Sequence, residues 1–287
     1  MKLLVESPDG RTIVVHDDGD RAGPAVLYHH GTPGTGELYR PWIADARERG
    51  LRLVGYDRAG YGGSTRNEGR SVADVAADVE AILDALEIER CGSWGVSGGG
   101  PHVLACAALL PERVVGVASL AAVAPFDADG LDWLAGMGGN VEEFGAAQAG
   151  PEALRRYLER DAAALRDVTA EQLADAMRPH LSEVDAAALT GELAAFLHST
   201  LVDALRSLDG WFDDDLAFVK PWGFDVGAIR IPVLLRQGVQ DLMVPPAHGR
   251  WLAARIPDVE ADIAEDEGHL TLVEHIGRVH AWLAERL

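Results

Sequence analysis

At 287 residues the chain has room for one large domain or two ordinary ones, and a hydrophobic share of 48% is ample for a sizeable core. A formal charge of −21, with a pI near 4.7, argues against nucleic acid or an anionic membrane as partner, since phosphates would be repelled. Two cysteines, Cys91 and Cys106, make no disulfide framework, and no apolar run has the form of a signal peptide or reaches membrane-spanning length. A soluble cytoplasmic protein is expected.

In chain order, Leu3 to Glu6 and Thr12 to His16 alternate around Pro8-Asp9-Gly10 and read as an edge hairpin. Ala25 to His30 is a β-prone run of the kind buried on both faces of a parallel sheet, and it ends in the glycine-rich loop Gly31-Thr32-Pro33-Gly34-Thr35-Gly36. A helix is expected near Leu38 to Arg49, then a buried strand from Leu51 to Tyr56 that runs into the turn Asp57 to Ser64. Ser71 caps a helix whose apolar residues Val72, Val75, Val79, Ile82, Leu83 and Leu86 recur at helical spacing.

The next stretch, Arg90 to His102, reads as a strand, a turn with almost no side chains, and an Ala/Leu-rich helix. Gly95-x-Ser97-x-Gly99 inside it is the nucleophile-elbow pattern, in which a serine sits on a sharp strand-to-helix turn with its hydroxyl pushed out at the top of a sheet. Val114 to Val123 reads as another strand.

From Phe126 to about Phe224 the strand rhythm stops, and segments opened by caps such as Pro151-Glu152, Thr169-x-x-Gln172 and Ser182-x-x-Asp185 read as helices. Six aromatic residues of this region, Trp133, Phe144, Trp211, Phe212, Phe218 and Trp222, are candidates for an apolar wall. Strands resume at Ile231 to Gly238 and Val259 to Ala264, with helices near Ala247 to Arg255 and after His269. The expected architecture is a mostly parallel sheet flanked by helices, from residues 1–125 and 225–287, interrupted by a helical cap over residues 126–224.

A serine needs an imidazole to take its proton and a carboxylate to orient that imidazole. A parallel sheet gathers the C-terminal ends of its strands at one edge, where loops carry Ser97, Asp241 and His269 in the order serine, acid, histidine. Asp127, after the strand that follows the elbow helix, is an alternative acid. Two backbone donors are needed for the carbonyl oxygen that gains charge: Gly98 N–H at the helix start, and Thr32 N–H, with Gly31 next, because Pro33 has none.

Together, His30-Gly31-x-Pro33-Gly34, Asp57-Arg58-x-Gly60-x-Gly62-x-Ser64, the elbow, Gln237-Gly238-x-x-Asp241 and Gly268-His269 resemble the α/β-hydrolase superfamily, in particular its capped members related to esterases, epoxide hydrolases and proline iminopeptidases. Dehalogenases and epoxide hydrolases similar to this chain use an aspartate where Ser97 stands, so serine implies acyl chemistry. The resemblance implies a serine hydrolase of an ester or similarly activated small acyl substrate. Alternatives on the same scaffold are an iminopeptidase-like amidase, whose substrate ammonium needs carboxylates among Glu142, Glu143, Glu152 or Asp213 to Asp215, a carbon–carbon bond hydrolase, or a non-catalytic ligand-binding relative. No metal-ligand cluster and no phosphate-cradling loop with a partner lysine is present, so neither metal nor cofactor is expected.

Overall fold

A computed structural model describes all 287 residues. Eight strands form one sheet in the order β1-β2-β4-β3-β5-β6-β7-β8. The strands β1 (Lys2–Glu6) and β2 (Thr12–Asp18) make the edge hairpin, and β2 is also antiparallel to β4 (Arg52–Tyr56). From β4 onward, β3 (Ala25–His29), β5 (Cys91–Val96), β6 (Val114–Leu120), β7 (Val233–Gly238) and β8 (Val259–Ala264) pair in parallel. Every residue of β3, β4, β5 and β7 is buried, which is why these strands read as unbroken runs rather than as alternation. The charged Arg52 of β4 is tolerated inside because its guanidinium donates twice to the buried Asp17, at 2.9 and 2.8 Å.

Helices cover both faces. Helix α1 (Arg40–Glu48) packs on one side, joined there by the C-terminal helix, around a core that includes Trp42, Trp94 and Leu283. On the other side lie α2 (Val75–Ala85) and α3 (Gly99–Leu109), around Val79, Ile82, Val103 and Leu104. Cys91 and Cys106 are free thiols in this second core, pushed upward in pKa by burial.

Between β6 and β7 the chain contains no strand but six α-helices: α4 (Asn140–Ala149), α5 (Pro151–Leu165), α6 (Ala170–Met177), α7 (Glu183–Ala188), α8 (Gly191–Ala204) and α9 (Asp209–Phe218). Their starts follow local chemistry. Proline opens α5, Thr169 and Gln172 form a reciprocal capping box on α6, and the Ser182 hydroxyl accepts from the Asp185 N–H at α7. The remaining helices are α10 (Pro246–Ala253), α11 (Thr271–Glu274) and α12 (Gly277–Ala284).

The sixth strand ends earlier than the apolar run to Val123 suggests. Ala121 takes a φ of +47° and turns the chain out of the ladder, and residues 121–124 stay buried as coil, where Ala124 N–H donates to His248 Nδ1 at 3.0 Å. Buried coil and buried strand have the same composition here.

Candidate active site

Ser97 sits between β5 and α3 with a φ of +53°, a conformation that L-residues rarely adopt. The turn closes only because its neighbours lack side chains. A Cβ at Gly95 would collide with the Gly99 carbonyl, and one at Gly99 with that of His29. Ser97 N–H donates to Leu120 O at 2.9 Å, which ties the turn to the end of β6.

The acid and the imidazole arrive from loops after β7 and β8. His269 Nδ1 lies 2.7 Å from Asp241 Oδ2, and both residues are buried. An ionised carboxylate only accepts, so Nδ1 carries the proton and Nε2 keeps its lone pair. Three further donors hold Asp241 still: Met243 N–H and Val244 N–H at 2.8 Å each, and Gln237 Nε2 at 3.2 Å. Burial depresses the imidazole's pKa, but the charge and hydrogen bond of Asp241, with a contribution from Asp185, outweigh it, and the net shift is upward.

Ser97, His269, Gly31 and Thr32 share the lining of one cavity of about 190 Å³. Thr32 N–H and Gly98 N–H find no acceptor within the chain, although Gly98 is buried and a buried amide ordinarily has one; Thr32 is half-buried. The loop that carries Thr32 is tightly braced. His30 Nδ1 donates to Gly31 O at 2.7 Å, its Nε2 accepts from Arg58 N–H at 3.1 Å, and burial with the nearby Arg58 holds this histidine neutral. The Arg58 guanidinium donates to the carbonyls of His30 and Gly31 and to Thr32 Oγ1.

Two aspartates from the helical insertion reach into this assembly. Asp214 of α9, fully buried, accepts from Thr32 Oγ1 (2.6 Å), Tyr61 Oη (2.8 Å), Arg58 (2.7 Å) and Arg70 (2.7 Å). Burial raises its pKa, but the two guanidiniums more than reverse this and hold it well below the usual carboxylate range. Asp185 of α7 accepts from the backbone of the His269 loop. Its neighbour in sequence, Ser182, is visible as a cap; its reach to His269 is not.

Asp127 does not join the group. It is exposed, on a surface cleft beside Trp222, Phe224 and Trp251, while the Nδ1 of His269 is already taken by Asp241. Asp127 lines neither of the cavities that touch Ser97. The cavity wall also differs from the expected aromatic set. Of the insertion's aromatics only Phe196, not among those singled out, lines the cavity shared by Ser97 and His269, with the aliphatic ladder Leu193, Leu197 and Leu201 of α8 and the pair Leu173 and Met177 of α6. The i, i+4 spacing of these residues was the available signal. Trp133 and Trp211 instead pack in cores, and Phe144 and Phe218 line a second, smaller space of about 40 Å³ that also touches Ser97, Glu143 and Asp215.

No group of three or more His, Cys, Asp or Glu side chains is arranged to hold a metal ion, and no helix is long and apolar enough to cross a membrane.

A sequence model of the α/β-hydrolase fold matches residues 24–276. The chain is 28% identical to a non-heme chloroperoxidase from Streptomyces lividans over 98% of its own length and 93% of the relative's, and 28% identical to a putative carbamate hydrolase, RutD, from a Caulobacter strain over 91% and 89%. An α/β-hydrolase fold protein from Nakamurella multipartita superposes with a TM-score of 0.71 at 26% identity, covering 100% of this chain and 99% of that one. A family match that runs from β3 to α11, together with the eight-stranded sheet and its serine-bearing turn, places this chain in the α/β-hydrolase family of enzymes.

Proposed function

We propose that this enzyme is a serine hydrolase that cleaves a small ester or similarly activated acyl compound through an acyl-enzyme. The observation that carries the reading is the Asp241–His269 pair opening on the same apolar cavity as Ser97. His269 Nε2 removes the Ser97 proton as Oγ attacks the carbonyl carbon, and the N–H groups of Thr32 and Gly98 hold the resulting oxyanion. Collapse of the tetrahedral intermediate breaks the bond to the leaving group, which takes its proton from His269. Water, deprotonated by the same imidazole, then releases the acid and restores Ser97.

The acyl or alcohol portion seats against Leu173, Met177, Leu193 and Leu197. A dry cavity of about 150 Å³ accepts a benzene ring, so about 190 Å³ suits an aryl group or a short alkyl chain. The base must be neutral, and its pKa is raised above that of a free imidazole. Hydrolysis of a p-nitrophenyl acyl ester is therefore expected to fall on acidification, with the midpoint of kcat/KM above the ordinary histidine value of about 6.5. A rate-against-pH series on butyrate and hexanoate esters measures it, and a flat profile down to pH 5 would remove His269 from the role of base.

One observation favours a second reading, an aminoacyl amidase. Glu143 and Asp215, both from the insertion, border the smaller space at Ser97, and Asp215 accepts no N–H or O–H of the chain. Burial raises both carboxyls, and Glu143 raises Asp215 further while Asp215 lowers Glu143, so Glu143 is the more readily ionised of the two and the group to receive a substrate ammonium. Alanyl and prolyl arylamides distinguish the two. A tenfold or greater preference for them over acyl esters, abolished by Glu143→Gln or Asp215→Asn, supports the amidase; turnover confined to acyl esters removes it.

A further inference from the structure

The base-bearing loop has an anchor that does not belong to the sheet domain. Asp185 Oδ2 accepts from His269 N–H at 2.8 Å, and Oδ1 accepts from Leu270 N–H at 2.7 Å and Thr271 N–H at 3.2 Å. The carboxylate is in turn held by the Ser182 hydroxyl at 3.0 Å, and the residue is about 1% exposed. A Cβ at Gly268 would collide with the same carboxylate, which gives the glycine before the histidine a reason of its own.

We propose that Asp185, contributed by α7 of the helical insertion, is a positioning residue for His269, fixing the three consecutive peptides from which the imidazole projects. Charge-assisted bonds to backbone amides are the stronger class of hydrogen bond, and here all three run to one buried carboxylate. The charged groups that face the imidazole are Asp241, from the loop after β7, and Asp185, from α7; Glu267, on the histidine's own loop, is engaged by His275 and Arg236. Asp185 therefore also supplies negative charge to the imidazolium that forms when Ser97 loses its proton. The insertion thus takes part in positioning the base: α7 cannot lift without breaking the three bonds to the His269 loop.

This role for Asp185 rests on His269 acting as the base, and the experiment separates the two. Turnover of a p-nitrophenyl ester across pH 5–9 is measured for wild type, His269→Ala, Asp185→Asn, Asp185→Ala and Gly268→Ala, with reactive sites counted by fluorophosphonate labelling. Activity retained by His269→Ala overturns the mechanism as a whole. With His269→Ala inactive, Asp185→Asn is expected to lower kcat per labelled site about ten- to a hundredfold, as a small misplacement of a reacting group does. KM should stay within about threefold, and the acid midpoint should move to lower pH because a negative charge has gone.

Gly268→Ala should lower kcat comparably while Asp185 is present, and by much less in an Asp185→Ala background, where nothing remains to be displaced. Gly268→Ala alone, which keeps the carboxylate but displaces it, tests the role of Asp185 even if the Asp185 variants fold poorly: kcat per labelled site unchanged in it would overturn the role. Unchanged kcat per labelled site, an unmoved midpoint, or additive effects in the cycle would each reduce Asp185 to an ordinary structural contact.

Discussion

Ser97→Ala is expected to lower ester turnover by at least about 10³-fold while leaving the fold and its thermal midpoint close to those of the parent. Alanine inherits the same φ of +53°, so it removes the hydroxyl without relieving the backbone. Ser97→Gly separates the two effects. Glycine accepts this conformation freely, and a strained non-glycine residue costs of order 1–3 kcal/mol, so the glycine variant should be equally inactive yet more stable than wild type by roughly 1 kcal/mol. Urea unfolding read alongside fluorophosphonate labelling checks both. Turnover retained by purified Ser97→Ala would take the serine out of the chemistry, and a glycine variant no more stable than alanine would mean the turn carries no strain.

Asp214→Asn should have the largest effect on stability of any single substitution considered. Wild type buries one carboxylate between two guanidiniums, and the variant leaves Arg58 and Arg70 charged, desolvated and short of a counter-ion. Breaking a buried pair in this way typically costs about 3–5 kcal/mol, equivalent to a fall of roughly 10 °C in thermal midpoint for a chain of this class. Because its pKa is depressed, Asp214 contributes this stabilisation at every pH above the ordinary Asp range and loses it only as acidification proceeds below that range. The adjacent Asp213 is the control. Asp213 is buried too, but its partner Arg66 is partly open to solvent and can rehydrate, so Asp213→Asn should cost less, about 1–3 kcal/mol. Equal losses at the two positions would refute the assignment of Asp214 as the keystone. Turnover should fall with Asp214→Asn as well, since the Arg58 guanidinium that braces the Thr32 loop loses its counter-charge.

The contrast between these neighbours also marks the limit of reading the chain as letters. Strands β3, β4 and β7 announce themselves because a strand covered on both faces is apolar throughout, and β8 spans Val259 to Ala264 as its residues suggest. The turn around Ser97 is legible because only glycine fits beside it. Asp213-Asp214-Asp215, by contrast, reads in sequence only as a set of candidate carboxylates for a substrate ammonium, yet all three are buried, each against a different partner: Arg66, the Arg58–Arg70 pair, and Glu143. Nothing local separates a solvated aspartate from one whose counter-ion lies more than a hundred residues away. Asp185 is hidden in the same way behind its modest role as a helix-start residue, and Asp127 shows the converse, a carboxylate well placed in sequence but exposed on the surface. The wall of the cavity at Ser97 was obscured for a further reason. Leu193, Leu197 and Leu201 show a helix face, but not whether that face meets protein or empty space.

That leucine ladder has an implication for how such an enzyme changes its diet. The rungs stand one helical turn apart on α8, and none of them donates or accepts a hydrogen bond in the machinery around Ser97. Shortening or lengthening a rung resizes the receptacle in steps of about one methylene, whereas Asp185 and Asp214 hold the same insertion in register with the sheet. On the reaction proposed above, selection can thus retune which molecules are admitted while Ser97, Asp241 and His269 stay untouched.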